Sequence, residues 1–508
     1  MEIIKELKNG KILSKKIKGK PGKVKVFEEV LSDNYILINN WQSWGPTKVI
    51  PKDFKLNISK EFLEKARFSP NPNPELLLDY IVSDYFIATK DKLYGFLSSK
   101  IGHPYFLIKD GKIEGYIDYF EEEFEDYIET EPLAVLNGNI DILLREYGEL
   151  LRDYNKPQFK DWNPVGWSSW YYYFEKLTWN DVLKNLELAK NYPFEVFQID
   201  DSWQKDIGDW QPKESFPSLK EMAETIKEFG FVPGIWLAPF SVSETSSIFK
   251  EHKDWLVKDD AGNPKVAYQN WGKNIYALDL SNPDVLDFIE TLFKSLKDSG
   301  FEYFKIDFLF AGAIPGKRYQ NISPIRAYRL GMEKIRKTVS DNFILGCGAP
   351  LLPSIGYVDG MRIGPDTAPY YDPKIPDNLG PNAYSALRNT ITRYFMNKKL
   401  WWNDPDCLLL RKTETNLTTN QKKMFAITAG MLDNMILVSD DLELELDDFL
   451  IPTALKLKGG EYFVEGIMDK AFTIYTKNEK VGEVKFRICL ETEKSEYYPD
   501  KDFLKGKK

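Results

Sequence analysis

Eight short apolar runs, separated by stretches with helical periodicity, are the feature that most constrains the fold of this chain. Amphipathic windows such as 178–190 and 284–297 lie between the runs. Eight strand–helix units of this size predict a (β/α)8 barrel, with a doubly wound open sheet as the alternative. The barrel is favoured because no Gly-x-Gly-x-x-Gly or P-loop follows any run. The runs lie at 165–170, 194–201, 231–239, 303–308, 343–348, 358–366, 400–406 and 435–441.

The segments on either side of these runs indicate further domains, as expected because 508 residues exceed what one hydrophobic core supports. Residues 1–158 contain short alternating runs separated by Gly, Asn, Asp and Pro, which predict an antiparallel β-sandwich. The catalytic barrel is assigned to 159–455, and strand-like runs predict a small C-terminal β domain over 456–508. The clearest N-terminal strand candidates are 23–27, 35–38, 85–88 and 93–97.

Histidine is scarce, and this limits the chemistry that the chain supports. The only two histidines are His103 and His252, for which we expect structural roles. A Ser–His–Asp triad needs a histidine near a Gly-x-Ser-x-Gly turn, and that motif is absent. No His-x-x-x-His or Cys-x-x-Cys spacing occurs, so neither a metal site nor a cofactor is expected. The chemistry is therefore expected to depend on carboxylates.

Charge and hydropathy bear on partners and location. The net charge of −9 and the lack of a clustered basic face argue against a nucleic-acid partner. No segment approaches the roughly 18 consecutive apolar residues that would indicate a membrane span, so no membrane partner is expected. The N-terminus has no apolar signal region, and the three cysteines are far apart, which favours a cytoplasmic protein. Abundant Lys and Glu with scarce His and Gln hint at a thermophilic source.

Polar side chains follow the predicted barrel strands at their carboxyl ends, which is where barrel active sites are built. On the fourth run, Lys305 and Asp307 are two residues apart and so share one face of the strand. A nearby ammonium favours an ionised carboxylate, which suits a nucleophile, whereas a simple strand-end salt bridge is the alternative. Aromatic residues make up 14% of the chain; they suit stacking on sugar rings, but core packing explains them equally well.

Seven segments together resemble the α-galactosidases, or melibiases, of glycoside hydrolase family 36, and especially the compact members from thermophilic bacteria. The resemblance covers about 35–445 in the same order and implies an N-terminal β domain before the barrel. It also implies a retaining exo-α-galactosidase without a cofactor, in which Asp307 is the nucleophile and Asp366 the general acid/base. The segments are Asn-Asn-Trp-Gln-Ser-Trp-Gly (39–45), Gly-Trp-Ser-Ser-Trp-Tyr (166–171), Phe-Gln-Ile-Asp-Asp (197–201), Gly-Ile-Trp-Leu-Ala-Pro-Phe (234–240), Phe-Lys-Ile-Asp-Phe (304–308), Arg-Ile-Gly-Pro-Asp (362–366) and Trp-Trp-Asn-Asp-Pro-Asp (401–406).

The two carboxylates also make chemical sense as a pair. A retaining glycosidase needs its two carboxyl groups about 5–5.5 Å apart, one as nucleophile and one as proton donor. At that separation the charge of Asp307 raises the pKa of Asp366 and keeps it protonated for departure of the leaving group. When the sugar esterifies Asp307 the charge disappears, so Asp366 is then expected to serve as a base toward water.

The resemblance further implies a set of sugar-binding residues. Asp200 and Asp201 correspond to residues that hold the axial 4-OH and the 6-OH and so select galactose, although a helix N-cap role is the alternative for them. Trp44, from the N-terminal domain, corresponds to a residue that closes the pocket. The remaining counterparts of sugar-contacting residues are Trp170, Tyr171, Trp236, Lys305, Cys347 and Arg362. Further strand-end carboxylates, expected to support the site or cap helices, are Asp359, Asp404, Asp406, Asp440 and Asp441.

Several alternatives remain open at this point. An α-glucosidase, an α-N-acetylgalactosaminidase or a raffinose-synthase-like transglycosylase would use the same carboxylates in a differently shaped pocket. A non-catalytic sugar-binding protein is the alternative from another functional class. The expected partner is a small oligosaccharide of the melibiose or raffinose type, and a monomer or small homo-oligomer is expected.

Overall fold

The centre of the protein is a barrel of eight parallel strands. The computed structural model describes residues 1–55, 71–374 and 380–498. Neighbouring barrel strands follow one another in the chain, except that the eighth strand pairs with the first. Between the seventh and eighth strands, Met435 N–H donates to the carbonyl of Asn403 at 2.9 Å. In chain order the strands are Val165–Ser168, Val196–Ile199, Val232–Leu237, Tyr303–Ile306, Phe343–Gly346, Gly360–Arg362, Trp402–Asp404 and Ile436–Val438.

All eight apolar runs predicted from the sequence contain one of these strands, so the predicted barrel is confirmed. The runs are recognisable because every residue of the eight strands is buried except Val232. Parallel strands that are covered on both faces appear in the sequence as nearly continuous apolar stretches.

Helices alternate with the strands around the barrel, and polar caps set where they begin. Thr178 and Asp181 form a capping box at the first outer helix, and Pro283 and Pro324 occupy the first turns of two others. Between the fifth and sixth strands the described chain forms only the 3₁₀ turn Leu352–Ser354. The outer helices are Trp179–Ala189, Leu219–Glu228, Pro283–Asp298, Pro324–Val339, Ala383–Thr392, Thr419–Met431 and Leu450–Leu457. Shorter helical segments are Leu76–Asp79, Trp170–Tyr173, Phe174–Lys176, Ser247–Glu251, Lys253–Trp255, Leu309–Ala313 and Tyr394–Met396.

The N-terminal region consists of antiparallel sheets, as predicted, followed by the helix Ile140–Asn155. Side chains such as Ile36, Phe96 and Phe106 form a core shared by the two larger sheets. The seven-stranded sheet has the order Glu2–Leu7, Gly10–Ser14, Leu133–Asn137, Lys92–Phe96, Phe86–Ala88, Tyr35–Ile38 and Lys48–Pro51. The four-stranded sheet has the order Lys23–Val30, Lys112–Asp118, His103–Lys109 and Ile81–Asp84, and a separate pair joins Phe124–Glu129 to Lys16–Gly19.

Two smaller antiparallel sheets complete the fold. The C-terminal sheet contains Glu461–Glu465, Phe472–Asn478, Gly482–Cys489 and Lys494–Tyr498, in agreement with the expected small β domain. An inserted sheet of Ser241–Ser243, Val266–Asn270 and Lys273–Ala277 lies between the third and fourth barrel strands and was not predicted. The domain boundaries at 158 and 455 stay predictions. Among the residues described, no helix is both long enough and apolar enough to cross a membrane.

Candidate active site

Except for Trp44, the predicted catalytic and binding residues lie near or just after the carboxyl ends of the barrel strands. Asp307 directly follows the fourth strand, Cys347 follows the fifth, and Asp200 follows the second. Asp366 lies four residues beyond the end of the sixth strand, at Arg362. Parallel strands that close into a barrel bring these ends to one rim, so residues far apart in the chain meet there.

Asp307 is buried, and each of its carboxylate oxygens accepts a hydrogen bond from a fixed donor. Trp236 Nε1 donates to Oδ2 at 3.0 Å, and the Phe308 backbone N–H donates to Oδ1 at 2.8 Å. The backbone N–H of Asp307 donates to the Leu237 carbonyl at 2.9 Å, which fixes the residue against the third strand. Neutral N–H donors stabilise an ionised carboxylate. Unlike a cationic side chain, they do not form an ion pair that would compete with a substrate.

Lys305 has a different partner from the one expected. Its ammonium donates to Asp200 Oδ2 at 2.8 Å, and both side chains are almost fully buried. The negative charges of Asp200 and, to a smaller extent, Asp307 outweigh the desolvation of the ammonium, so the pKa of Lys305 is raised above its usual range. Lys305 is therefore close enough to Asp307 to feel its charge, but the ion pair that it forms is with Asp200.

Asp200 and Asp201 are both buried, and their carboxylates are held by separate sets of donors. Asp200 also receives a hydrogen bond from Gln198 Nε2 at 2.5 Å. Asp201 accepts hydrogen bonds from Gln204 Nε2 at 2.5 Å and from Trp271 Nε1 at 2.8 Å. Burial raises the pKa of Asp201 to about 6, in spite of those two hydrogen bonds. Neither carboxylate caps the next long helix, whose N-cap is Ser218.

Asp366 differs from Asp307 in its surroundings. Its side chain is 34% exposed, and Arg362 Nη1 donates to its Oδ1 at 3.2 Å. Desolvation, followed by the negative charge of Asp406 and then that of Asp307, raises the pKa of Asp366 to about 7, against the opposing charges of Arg362 and Lys305. The direction is the one that a proton donor needs, although Asp307 is not its main cause.

Arg362 is the centre of a buried network that includes Tyr171. Its Nε donates to Asp404 at 2.9 Å, and its Nη2 lies 2.8 Å from Asp406 Oδ1. The Tyr171 hydroxyl donates to the other oxygen of Asp406. Both residues were predicted to contact sugar, but here their polar groups face carboxylates within the protein. Asp404 and Asp406 therefore hold the guanidinium that reaches Asp366, and their supporting role in the site stays a prediction.

The other predicted carboxylates lie elsewhere. Asp359 precedes the sixth strand, so it is at the opposite end of the barrel from the site, where it accepts hydrogen bonds from Arg336 Nη1 at 2.7 Å and from the Lys160 N–H at 2.8 Å. Asp440 pairs with Arg411 at 2.7 Å, and Asp441 with Lys184 at 3.1 Å. The expectation that Asp359 follows a strand end was wrong, because the sixth strand begins only at Gly360.

Trp44 reaches the barrel rim from the N-terminal region. Its indole N–H lies 3.2 Å from Cys347 Sγ, and its ring meets Phe308 edge to face at 4.9 Å between centroids. Gly348 has φ +53°, and a side chain there would press against the Trp44 ring at about 3.0 Å. Trp44 is thus placed beside the residues that surround Asp307. Trp170 is half-buried, with its ring 5.3 Å from that of Phe174.

Three residues that contact this site were not predicted. Phe308 supplies a backbone donor to Asp307, Trp271 supplies a side-chain donor to Asp201, and Arg393 binds the loop that carries Trp44. The sequence signal for Trp271 is a Trp-Gly pair between two alternating runs, which marks a tight turn but not the direction in which it points. His103 is buried and bonded to Asp84 at 2.8 Å, in a structural setting. No group of three or more His, Cys, Asp or Glu side chains suited to a metal ion occurs within 1–55, 71–374 and 380–498.

Two family models match the N-terminal region and part of the barrel. The family model described as alpha-galactosidase, N-terminal, matches 3–137, and the melibiase model matches 133–344. The α-galactosidase Mel36A of Lactobacillus acidophilus is 31% identical over 167 residues, which are 30% of this chain and 22% of that protein. The match therefore spans less than a quarter of that relative's length.

The same family is represented among solved structures. The α-galactosidase TtGalA of Thermus thermophilus, in complex with p-nitrophenyl α-D-galactopyranoside, superposes with a TM-score of 0.75 at 25% identity, covering 92% of this chain and 97% of that one. A second TtGalA structure, in complex with stachyose, gives a TM-score of 0.73 at 26% identity, covering 86% and 95% of the two chains.

Proposed function

We propose that this chain, which belongs to glycoside hydrolase family 36, is a retaining exo-α-galactosidase that removes terminal α-linked galactose from small oligosaccharides of the melibiose or raffinose type. The observation that carries the proposal is the contrast between two carboxyl groups at the barrel rim. Asp307 has a neutral donor on each oxygen, whereas the pKa of Asp366 is raised to about 7. Two carboxyl groups in such different environments are what a nucleophile and a proton donor require.

In the first step, an oxygen of Asp307 attacks the anomeric carbon while Asp366 transfers its proton to the glycosidic oxygen. The leaving group departs as an alcohol, and the galactosyl group forms an ester with Asp307 of inverted configuration. The Trp236 and Phe308 donors position the attacking carboxylate, since they hold one oxygen each. Arg362 positions Asp366 through its hydrogen bond at 3.2 Å.

In the second step, Asp366 removes a proton from water as the water attacks the anomeric carbon, and the ester to Asp307 breaks. The negative charge of Asp307 is one of the causes of the raised pKa of Asp366. Esterification removes that charge, so the pKa of Asp366 falls and the group becomes available as a base. The second inversion restores the α configuration of the released galactose.

Selection of galactose is assigned to Asp200 and Asp201. Both are buried carboxylates at the end of the second strand, and each is held by at least one protein donor, so their orientation is set before a sugar binds. Carboxylate oxygens accept hydrogen bonds from sugar hydroxyls, and a buried acceptor strongly disfavours an isomer that leaves it unpaired. Trp236 supplies aromatic surface beside Asp307, and Trp44 supplies aromatic surface beside the next residue, Phe308.

A screen of p-nitrophenyl α-glycosides tests reaction class and sugar identity together. We expect kcat/KM for the α-galactoside to exceed those for the α-glucoside, α-xyloside and N-acetyl-α-galactosaminide by at least about a hundredfold. The Asp307→Ala, Asp366→Ala double variant is the control for background hydrolysis. Preference for another glycoside overturns the sugar assignment, and absence of hydrolysis of all four overturns the enzyme assignment. Analysis of products with excess sugar acceptor separates a hydrolase from a transglycosylase.

We also propose a cytoplasmic enzyme that is a monomer or small homo-oligomer from a thermophilic source. Support comes from the three cysteines, which are all unpaired, as expected in a reducing compartment. Sedimentation of the purified chain and its half-life at elevated temperature test the oligomeric state and the thermophilic character.

A further inference from the structure

The inserted sheet between the third and fourth barrel strands ends in a tight hairpin turn that carries Trp271. The strands Val266–Asn270 and Lys273–Ala277 pair up to Asn270 and Lys273, which leaves Trp271 and Gly272 as a two-residue loop. Both loop residues have positive φ, +52° at Trp271 and +67° at Gly272. Two-residue loops of this kind favour Asn, Asp or Gly at the first position, because a side chain with a bulky ring is strained there.

Local backbone preference therefore does not explain a tryptophan at this position. Strain at a single residue persists where the surrounding structure compensates for it, and such residues cluster at functional sites. The ring of Trp271 is only partly buried, so burial in a core does not fully account for it either. The compensation must lie in the specific contacts that the side chain makes.

Apart from Tyr268 on the same hairpin, whose ring centroid lies 6.4 Å away, the residues that Trp271 contacts belong to the proposed active site. Trp271 Nε1 donates to Asp201 Oδ2 at 2.8 Å. Its ring centroid is 5.2 Å from that of Phe308 and 6.3 Å from that of Trp236, the two residues whose N–H groups hold Asp307. One side chain at the hairpin tip thus contacts both the proposed galactose-selecting carboxylate and the two donors of the proposed nucleophile.

The hairpin itself is attached to neighbouring loops, so its tip has a defined position. Lys273 pairs with Asp206, on the loop after the second strand, at 2.9 Å. Tyr268 stacks on Phe308 with ring centroids 4.9 Å apart and donates its hydroxyl to Ser241 Oγ at 2.9 Å. The insertion is therefore held both by the loop that carries Asp201 and by the residue that follows Asp307.

We propose that Trp271 is a positioning residue that determines sugar specificity, because it holds the Asp201 carboxylate in the orientation that accepts a galactose hydroxyl. This inference rests on the proposed α-galactosidase function. Of the two side-chain donors to Asp201, Gln204 bonds to Oδ1 and Trp271 to Oδ2, so loss of the indole N–H removes the side-chain donor from Oδ2. The carboxylate can then rotate, and the hydroxyl that it holds is recognised less well.

The test combines Trp271→Phe with substrates that lack single hydroxyls. Steady-state kinetics are measured for p-nitrophenyl α-galactoside and for its 4-deoxy and 6-deoxy analogues, with wild-type protein, Trp271→Phe and, as a matched control, Trp179→Phe on an outer helix. We expect Trp271→Phe to lower kcat/KM for the parent galactoside about tenfold or more, as for a lost hydrogen bond to a charged group. One of the two deoxy analogues lacks the hydroxyl that Asp201 holds. For that analogue, the same substitution should change kcat/KM little. Trp179→Phe should leave all three values unchanged.

A second variant separates positioning from packing. Trp271→Asn places a residue preferred by the turn at the strained position, so we expect an unchanged or higher melting temperature together with a larger loss of kcat/KM than in Trp271→Phe. A large fall in melting temperature overturns the inference, because it assigns the ring to core packing. Equal losses on all three substrates in active Trp271→Phe also overturn it while leaving the proposed function intact. A wild-type protein that hydrolyses no α-galactoside overturns both.

Discussion

Arg393 joins the loop that carries Trp44 to the sixth barrel strand, and its replacement offers a direct test of whether the N-terminal region completes the active site. The guanidinium is fully buried and makes six hydrogen bonds. On the barrel side it donates to the Ile363 carbonyl at 2.9 Å, next to Arg362. On the loop side its acceptors are Asn39 Oδ1, the Ser43 and Gly45 carbonyls and Thr47 Oγ1.

The size of the effect follows from these contacts. Arg393→Met removes the donor from five buried acceptors, and each hydrogen bond to a charged group is worth about 1.5–3 kcal/mol. Loss of the desolvation penalty of the guanidinium opposes this sum, whereas each buried acceptor left unpaired costs about 1–3 kcal/mol, so the expected net loss of stability is roughly 3–5 kcal/mol. A loss of that size is a large part of the roughly 5–15 kcal/mol that stabilises a folded domain.

Urea unfolding and steady-state kinetics on p-nitrophenyl α-galactoside measure the two consequences. We expect the free energy of unfolding of Arg393→Met, obtained from the urea curve, to fall by the amount above, and we expect KM to rise about tenfold or more because Trp44 is no longer held beside Cys347. Arg336→Met is the matched control, since Arg336 binds Asp359 at the opposite end of the barrel. That variant should lose stability without a change in KM. Equal KM values for Arg393→Met and wild type, or equal KM increases in both variants, would refute this account of Arg393.

Three further predictions concern the carboxylates. Asp307→Ala should abolish turnover of aryl α-galactosides, and added azide should restore it with β-galactosyl azide as the product; wild-type-like activity in this variant contradicts the nucleophile assignment. Asp366→Ala should lose far more activity on substrates with poor leaving groups than on activated aryl galactosides, and equal losses on both contradict its role as acid. The pKa of Asp366 is raised to about 7, so kcat/KM for a substrate with a poor leaving group should fall above pH 7, where this acid is deprotonated. The pKa of Asp201 is raised to about 6, so kcat/KM should also fall below pH 6, where this acceptor of a sugar hydroxyl is protonated. A profile that stays flat from pH 5 to 8 would contradict both assignments.

The same raised pKa has a consequence for stability. Folded Asp366 keeps its proton to a higher pH than the unfolded chain does, so its contribution to stability is complete below the ordinary value of 3.8 and is lost as the pH rises through about 7. Such a group does not favour the folded state at neutral pH. A site carboxyl that is maintained at some expense of stability is consistent with a role in proton transfer.

The barrel and its strand-end residues were predictable because their signals are local. Each barrel strand is buried on both sides, so each appears as an apolar run whatever its neighbours are. Asp200, Asp307 and Cys347 follow such runs directly, and the rule that parallel strand ends converge brings them together without further information. The scarcity of histidine likewise favours carboxylate chemistry, and composition is a property of the chain that does not depend on its fold.

The pairings within the site were not predictable from the sequence. Lys305 and Asp307 share a strand face, yet the ammonium bonds to Asp200 on a strand two positions away in the sheet. Arg362 was expected to face a sugar, yet its contacts are with Asp404, Asp406 and Asp366. Ion pairs form between whichever buried charges lie closest in space, and spacing along one strand does not contain that information.

The sequence alone determined the eight-stranded barrel, the β regions on both sides of it and the carboxylates at the strand ends. It could do so because apolar periodicity and strand polarity are properties of the chain itself. Tertiary structure alone decided which donors hold Asp307, which charges raise the pKa of Asp366, and that a strained hairpin brings Trp271 to Asp201. The physical reason is that desolvation and electrostatic interaction depend on distances and burial between residues remote in sequence, and these exist only once the chain has folded.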